Sequence, residues 1–216
     1  MKKLHMIPHN TEGLLITFCG LDGCGKTTIL TRLAELLSEK HEVVLTKQPT
    51  DFVRNSAIFR TYMDCPDHDA YDYRSLSLLA ASDRVQHSNR TVLSELKQGK
   101  VVISDRYFYS CLANLRARGY EKDRWIYEIA GSIIKPDLAF FLDVPVEPAV
   151  ARVRSRPEEK NRFIDMELQY RLREEYINIC KANGGILLST ETEDPGETLA
   201  KVVCAVQKYL RTHKKG

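Results

Sequence analysis

Short apolar runs alternate with stretches of helical spacing along the whole chain. Five of these runs are rich in Val, Ile, Leu and Phe and lack a clean apolar–polar alternation, which is typical of strands covered on both faces. Strands are predicted at 14–20, 42–46, 101–104, 138–144 and 185–189, and helices at 26–40, 52–62, 73–98, 107–118, 123–133, 146–156, 161–183 and 195–213. The alternation predicts an α/β fold with a five-stranded parallel sheet flanked by helices.

Composition and charge narrow the class of protein. The 216 residues are 43% hydrophobic and 28% charged, which is typical of one globular domain; we place it at 14–213, after a flexible N-terminal tail at 1–13. The net charge of +3 fits a small anionic ligand and does not call for a nucleic-acid polymer. No apolar stretch is long enough to span a membrane, and the polar start of the chain does not have the pattern of a secretory signal.

The six cysteines form no C-x-x-C pair, and no histidine cluster accompanies them, so a zinc site is not predicted. One of them, Cys24, lies inside a glycine-rich segment where a disulfide would obstruct a ligand. Free thiols and a cytoplasmic location are the simplest interpretation.

The most informative motif follows the first predicted strand. Residues 20–27 read G-x-x-x-x-G-K-T between a strand and a helix, which is the context of a phosphate-binding loop (P-loop). Glycines let backbone N–H groups surround a phosphate, and the start of the helix favours the same anion. Lys26 is expected to reach the β- and γ-phosphates, and the Thr27 hydroxyl to ligate Mg²⁺. The predicted phosphate-binding residues are Gly20, Gly23, Cys24, Gly25, Lys26, Thr27 and Thr28.

Charged residues follow the other predicted strands, at the sheet edge where such folds bind ligands. The third strand ends in Asp105-Arg106, which would place a metal-side carboxylate beside a phosphate-side cation. Asp143, after the fourth strand, competes for the metal role, and a strand-end salt bridge is the alternative for Asp105 and Arg106. Lys47 follows the second strand, where it either meets an anion or is solvated.

A basic segment after the fourth strand is interpreted as a mobile lid at about 152–163. Five cations lie there within eleven residues: Arg152, Arg154, Arg156, Lys160 and Arg162. Arginines on a loop that closes over transferring phosphates would neutralise charge and exclude water. A charged surface turn is the alternative.

Arg84, flanked by apolar residues in the predicted helix 73–98, points into a pocket or forms a structural ion pair.

Taken together, these segments resemble the thymidylate kinase family of P-loop nucleoside monophosphate kinases, from about residue 15 to residue 210. Residues 20–28 match the family's G-x-D-G-x-G-K-[ST]-T loop, and residues 105–113 match D-R-Y-x-x-S-x-x-A. Residues 46–49 loosely match T-R-E-P, and residues 161–164 read N-R-F-I where the family has D-R-F-E. The resemblance implies ATP and Mg²⁺ as cofactors, a nucleoside monophosphate as acceptor, and a homodimer.

The resemblance also implies roles for single residues. Asp22 would contact the 3′-hydroxyl of the acceptor sugar, Arg106 would hold the acceptor phosphate, and Arg84 would meet the base or its phosphate. Because Gly23 stands where one subgroup has an arginine, lid arginines would supply the catalytic cations. The catalytic set is then Lys26, Asp105, Arg106, Arg154 and Arg156, and the substrate-binding set is Asp22, Lys47, Ala80, Arg84, Arg106, Tyr107 and Asn114, with Thr27 and Asp105 as metal ligands.

Four positions depart from the family pattern. Ala80 stands where the family has a phenylalanine that stacks on thymine, and Asn114 stands where it has a tyrosine that excludes a 2′-hydroxyl. Lys47 and Gln48 replace Arg-Glu, which removes a carboxylate near the metal. dTMP is the expected acceptor, and another nucleoside monophosphate is the alternative.

The expected reaction is ATP + dTMP → ADP + dTDP. The acceptor phosphate is already largely ionised, so the reaction needs alignment and charge neutralisation, not a general base. A deoxynucleoside kinase would need such a base, which Gln48 cannot supply although Asp51 can. A GTPase would be expected to carry an N-K-x-D segment, which we do not find, and a non-catalytic nucleotide-binding protein is a further alternative.

Overall fold

The computed structural model describes residues 2–64, 71–160, 162–191 and 194–212. Five parallel strands form one sheet in the order β2-β3-β1-β4-β5. The sheet confirms the predicted α/β class and strand number. The strands are β1 (Leu14–Cys19), β2 (Val43–Lys47), β3 (Val101–Asp105), β4 (Leu138–Asp143) and β5 (Ile186–Ser189).

Helices cover both faces of this sheet. In the described part of the chain the α-helices are α1 (Lys26–Ser38), α2 (Asp51–Arg54), α3 (Ala57–Asp64), α4 (Tyr73–His87), α5 (Leu93–Lys97), α6 (Phe108–Ala117), α7 (Trp125–Ala130), α8 (Val146–Arg154), α9 (Met166–Asn183) and α10 (Pro195–Thr212). A π-helical turn (Ser88–Val92) joins α4 to α5, and a 3₁₀ turn (Pro157–Glu159) follows α8.

The strand register places the informative residues side by side. Phe18 of β1 lies opposite Asp105 of β3, and Lys47 of β2 lies opposite the same aspartate. β1 is buried along its whole length, as its apolar sequence predicts for a central strand. The carboxyl ends of three neighbouring strands therefore meet at one edge of the sheet.

Three helices differ from their predictions for local reasons. The predicted helix 52–62 is split into α2 and α3 at Ser56, whose hydroxyl donates to the Val53 carbonyl and accepts from the Phe59 N–H. The predicted helix 73–98 contains the π-helical turn at Ser88, whose hydroxyl accepts from the Ile134 N–H at 2.9 Å. α9 begins later than predicted because Asp165 caps it through the Leu168 N–H; residues 161 and 213, at predicted helix ends, lie outside the described residues.

The segment before β1, expected to be a flexible tail, makes specific contacts with the domain. Leu4 is buried and its N–H donates to Asn183 Oδ1 at 2.9 Å. Ile7 forms a β-bridge with Ile134. These contacts supply an apolar anchor and paired backbone groups, which a free tail lacks. Within the described ranges, no helix is long and apolar enough to cross a membrane.

Candidate active site

The phosphate-binding loop connects β1 to α1 and approaches its neighbours closely. Gly23 has φ of +82°, and a Cβ at this position would lie 2.1 Å from the Ala149 carbonyl oxygen. An arginine cannot be placed here without moving α8. The catalytic arginines are therefore expected at other positions of the chain. The buried Lys26 ammonium donates to the carbonyls of Leu21 at 2.7 Å and Gly20 at 3.2 Å, so the loop holds the charge in place.

Cys24 lies on the buried side of this loop. Its thiol is fully buried, 3.5 Å from the Lys26 Nζ, and does not line the cavity described next. Thr27 and Thr28, in contrast, are exposed and line that cavity. The five cysteines in the described ranges are all free thiols, as expected; Cys65 lies outside those ranges.

One cavity of about 590 Å³ begins at the phosphate loop and continues between α4 and α6. The loop and the ends of β2 and β3 line its first part. α4 contributes Tyr73, Leu76, Ser77, Ala80 and Arg84, and α6 contributes Ser110, Cys111 and Asn114. The cavity thus joins the phosphate loop to Ala80 and Asn114, two of the positions that depart from the family pattern.

Arg106 occupies the centre of this cavity's charged end. It has φ of +66°, a strained value for a non-glycine residue, and its backbone is held by Phe18 and Ser104. Its guanidinium pairs with Asp22 and donates to the Tyr176 hydroxyl at 2.9 Å. Arg106 in turn holds the pKa of Asp22 far below its usual range. The pair is therefore fully ionised at neutral pH.

Two further arginines lie near Arg106 at the cavity wall. Arg84 is almost completely buried and its Nε has no acceptor among the described residues, while its Nη1 donates to the Ala80 carbonyl. Arg54, which the sequence analysis missed, donates to the Pro49 carbonyl at 2.7 Å. Burial lowers the pKa of Arg54, and the neighbouring charge of Arg106 lowers it further. Three guanidinium groups gathered in this way favour a bound anion such as a phosphate.

The donors expected for a metal ion also lie at this edge. Asp105 Oδ1 is buried with no hydrogen-bond partner among the described residues, and its Oδ2 lies 3.9 Å from Lys47 Nζ. The rival carboxylate, Asp143, is held by Arg173 through two contacts of 2.7 and 2.9 Å. Asp105 and the exposed Thr27 line the same cavity, and an unpaired carboxylate oxygen beside a hydroxyl oxygen is a donor set that would suit Mg²⁺. Over the described chain no cluster of three His, Cys, Asp or Glu residues suited to a metal occurs.

The arginines of the basic segment have different surroundings in the structure. Arg162 contacts Asp22 at 3.3 Å and Glu159 at 3.2 Å, and Arg156 lines the cavity. Arg152 donates to the carbonyls of Gly23 at 3.4 Å and Thr190 at 3.1 Å, which ties α8 to the phosphate loop. Arg154, predicted to be catalytic, is exposed and lies outside the cavity lining. It directly follows the buried Val153 on α8, so it lies on a different face of the helix. Asn161 lies outside the described residues.

Tyr107, predicted to bind substrate, lies in the core instead. It is fully buried, and its hydroxyl donates to the Ile134 carbonyl at 2.7 Å. Burial raises the pKa of Tyr107, which keeps the hydroxyl protonated. Asp105 and Arg106 of the D-R-Y segment therefore line the cavity, whereas Tyr107 anchors the same segment in the core.

Gln48, which stands where the family has a glutamate, does not line the cavity. Its side chain is buried, and its Nε2 donates to Nδ1 of His87 at 3.0 Å. The other imidazole nitrogen contacts Thr46 Oγ1 at 2.7 Å. The exposed Asp51 lines the cavity nearby. A general base for a neutral hydroxyl would have to come from Asp51 and not from Gln48.

Comparisons with known proteins agree with this geometry. The sequence model of a family described as thymidylate kinase matches residues 18–202. A probable thymidylate kinase from Thermococcus kodakarensis is 34% identical over 91% of this chain and 98% of its own length. One from Pyrococcus horikoshii is 38% identical over 79% of this chain and 84% of its own. The crystal structure of thymidylate kinase from Ehrlichia chaffeensis superimposes with a TM-score of 0.70 at 28% identity, over 90% of this chain and 98% of that one.

Proposed function

The chain belongs to the thymidylate kinase family, and we propose that it transfers the γ-phosphoryl group of ATP to dTMP, forming ADP and dTDP. The observation that carries this proposal is a single cavity that contains the phosphate loop and, beside it, three guanidinium groups. Two phosphate-bearing molecules can meet there, one on the Lys26 side and one on the Arg106 side. A site for one nucleotide would not need the second group of cations.

The reaction needs these residues to bind and align. Lys26 and the loop N–H groups hold the β- and γ-phosphates of ATP, while Arg54, Arg84 and Arg106 hold the acceptor phosphate. An oxygen of the acceptor phosphate forms a bond to the γ-phosphorus, and the bond to the β-phosphate oxygen breaks, which releases ADP. No proton must be removed from the attacking oxygen, in keeping with the absence of a carboxylate at Gln48.

Negative charge must be neutralised as the phosphoryl group moves. Arg162 and Arg156 lie on the cavity side of the basic segment and are assigned this role, with Arg162 first because it already contacts Asp22 at 3.3 Å. Thr27 and Asp105 would hold Mg²⁺, which would neutralise part of the charge on the phosphates of ATP.

Asp22 connects the acceptor side to the lid. Its carboxylate contacts both Arg106 and Arg162. A phosphate that binds to one of these arginines therefore changes the ion pair that Asp22 forms with the other. The assignment of Asp22 to the acceptor 3′-hydroxyl rests on family resemblance, as do Ala80 and Asn114 as base-side residues, although both line the cavity between α4 and α6.

The family resemblance is also the basis for a homodimer, and the free thiols in the described ranges support a reducing, cytoplasmic environment. Sedimentation velocity tests the first of these: a single species of about twice 24.7 kDa is expected, and a 24.7 kDa species at all concentrations contradicts it.

A coupled ADP-release assay tests the activity directly. With ATP and Mg²⁺, the enzyme is offered dTMP, dUMP, dCMP, dGMP, dAMP, the corresponding ribonucleotides and thymidine. The highest kcat/KM is expected with dTMP. Turnover of thymidine without turnover of any monophosphate would move the assignment to a nucleoside kinase, and ATP binding without transfer to any acceptor would favour a non-catalytic protein.

A further inference from the structure

The peptide group between Cys24 and Gly25 is held from one side of the phosphate-binding loop. Its carbonyl oxygen, on Cys24, accepts a hydrogen bond from the Thr190 hydroxyl at 3.1 Å, and neither Cys24 nor Thr190 lines the cavity. In a planar trans peptide group the N–H points opposite to the carbonyl, so the Gly25 N–H points away from Thr190. Gly25 lines the cavity, and its N–H has no acceptor among the described residues. This N–H is therefore available to a phosphate in the cavity.

Packing does not keep this peptide group in its orientation. Gly25 has φ of +90°, and a Cβ at this position would meet no atom within 4 Å. Glycine adopts positive and negative φ about equally readily, so the peptide group before Gly25 can rotate at little steric cost. Gly20 and Gly23 differ, because a Cβ at either would lie within 2.4 Å of a neighbouring carbonyl oxygen. The orientation of the peptide group before Gly25 therefore depends on its hydrogen bond with Thr190.

Thr190 is itself held against the end of β4. It directly follows β5, it is 8% exposed, and its N–H donates to the Asp143 carbonyl at 2.7 Å. Its own carbonyl accepts from Arg152 Nη2 at 3.1 Å. The hydroxyl also lies 3.1 Å from the Asp143 carbonyl oxygen, but that oxygen already accepts from the Thr190 N–H. The Cys24 carbonyl has no other donor among the described residues, so it depends on the single proton of the Thr190 hydroxyl.

We propose that Thr190 is a positioning residue for the phosphates of ATP, an inference that rests on the proposed function. Its hydroxyl orients the peptide group between Cys24 and Gly25 so that the Gly25 N–H donates to a phosphate oxygen. Without the hydroxyl, the Cys24 carbonyl can turn toward the cavity, where it repels the same phosphate. Loss of one such hydrogen bond corresponds to about three- to tenfold weaker binding of ATP. The arginines that hold the acceptor phosphate lie on other elements, so KM for dTMP should not change.

The matched test compares Thr190→Val with Thr190→Ser. Valine has the shape of threonine without the hydroxyl, whereas serine keeps the hydroxyl. The dissociation constant of ATP is measured by calorimetry with Mg²⁺ and without an acceptor, and KM for dTMP is measured at saturating ATP. Thr190→Val should bind ATP about three- to tenfold more weakly, with KM for dTMP within about twofold of wild type. Thr190→Ser should bind ATP with nearly the wild-type affinity.

Thr17→Val is the matched control on β1. The Thr17 hydroxyl is buried and has no hydrogen-bond partner among the described residues, and Thr17 does not line the cavity. The same exchange of threonine for valine should therefore leave both the dissociation constant of ATP and KM for dTMP within about twofold of wild type.

Thr190→Ala deletes the same hydroxyl and keeps the test decisive if the valine variant does not fold. Unchanged ATP affinity without the hydroxyl, with or without a lower melting temperature, reduces Thr190 to a structural tie between β4 and β5 and overturns the proposal. A loss that serine does not restore, or one that extends equally to dTMP, overturns it as well, because neither depends on the hydroxyl alone. A wild type that binds ATP but phosphorylates no monophosphate refutes the proposed function, while the ATP affinities of the variants still decide the role of Thr190.

Discussion

Removal of the Arg106 side chain should damage acceptor binding far more than folding. In the structure Arg106 pairs with Asp22 and donates to the Tyr176 hydroxyl and the Gly20 carbonyl. Truncating one partner of a buried, hydrogen-bonded charge pair costs about 2–5 kcal/mol. Applied to the phosphate of the acceptor, that range corresponds to a loss of about 30- to 5000-fold in kcat/KM for dTMP.

The effect of the same change on stability should be small. Asp22 is 43% exposed and keeps Arg162 at 3.3 Å when Arg106 is lost. Solvent screening limits such a pair to about 0–1 kcal/mol, which for a domain of this size shifts Tm by at most about 2–4 °C. The loss of Arg106 is therefore expected to reduce kcat/KM for dTMP much more than it reduces the stability of the fold.

The assay is steady-state kinetics of Arg106→Ala, with dTMP varied at saturating ATP and then ATP varied at saturating dTMP. KM for dTMP should rise strongly, and KM for ATP should change little. Arg116→Ala removes an arginine of similar exposure that pairs with Glu175 outside the cavity, and it should leave both constants within about twofold of wild type. If Arg106→Ala keeps the wild-type kcat/KM for dTMP, the acceptor-site assignment is wrong.

Four further predictions concern the loop, the metal, the core and the base pocket. Gly23→Ala should weaken ATP binding in calorimetry at least about tenfold, because a Cβ would lie 2.1 Å from the Ala149 carbonyl oxygen at a φ of +82°; unchanged affinity would refute the loop geometry. Asp105→Asn should raise the Mg²⁺ concentration for half-maximal activity about tenfold while dTMP binding is retained, and an unaltered Mg²⁺ titration would remove Asp105 from the metal site. Burial lowers the pKa of His87, so the unfolded state binds more protons and the free energy of unfolding should decrease as pH falls below about 6.5, by up to about 1.4 kcal/mol per pH unit; urea titrations from pH 5 to 8 should show a flatter profile for His87→Gln. Ala80→Phe should tighten dTMP binding if the base lies against α4, and unchanged or weaker binding in calorimetry would place the base elsewhere.

The elements that carry phosphate chemistry could be predicted because local sequence determines them. The loop at 20–27 needs glycines at fixed positions, and Asp105-Arg106 must directly follow a strand to reach the ligand edge of the sheet. These residues and the five-stranded parallel sheet appear in the structure where the sequence placed them. Tyr107 was misassigned because it directly follows Asp105 and Arg106 in the motif. A residue next to two cavity residues in the sequence can still place its side chain in the core.

Residues supplied by helix packing were harder to find. Arg54, Tyr176 and Arg118 reach the cavity from three different helical segments, and their convergence depends on how α2, α6 and α9 pack, which no local pattern encodes. A weak signal existed for Arg118, since it follows Asn114 by one helical turn and so shares its face. No comparable signal distinguishes Tyr176, which contacts Arg106 from across the cavity.

Transfer of radiolabel from [γ-³²P]ATP is the most direct test of the central claim, that one cavity aligns ATP with dTMP for phosphoryl transfer. The products are separated by chromatography after incubation with Mg²⁺ and dTMP, for the wild type and for Lys26→Ala. The account predicts label in dTDP in amounts equal to the ADP formed, and almost none with the variant. Label that appears only as inorganic phosphate, or in dTMP when thymidine is supplied but never in dTDP, would contradict it.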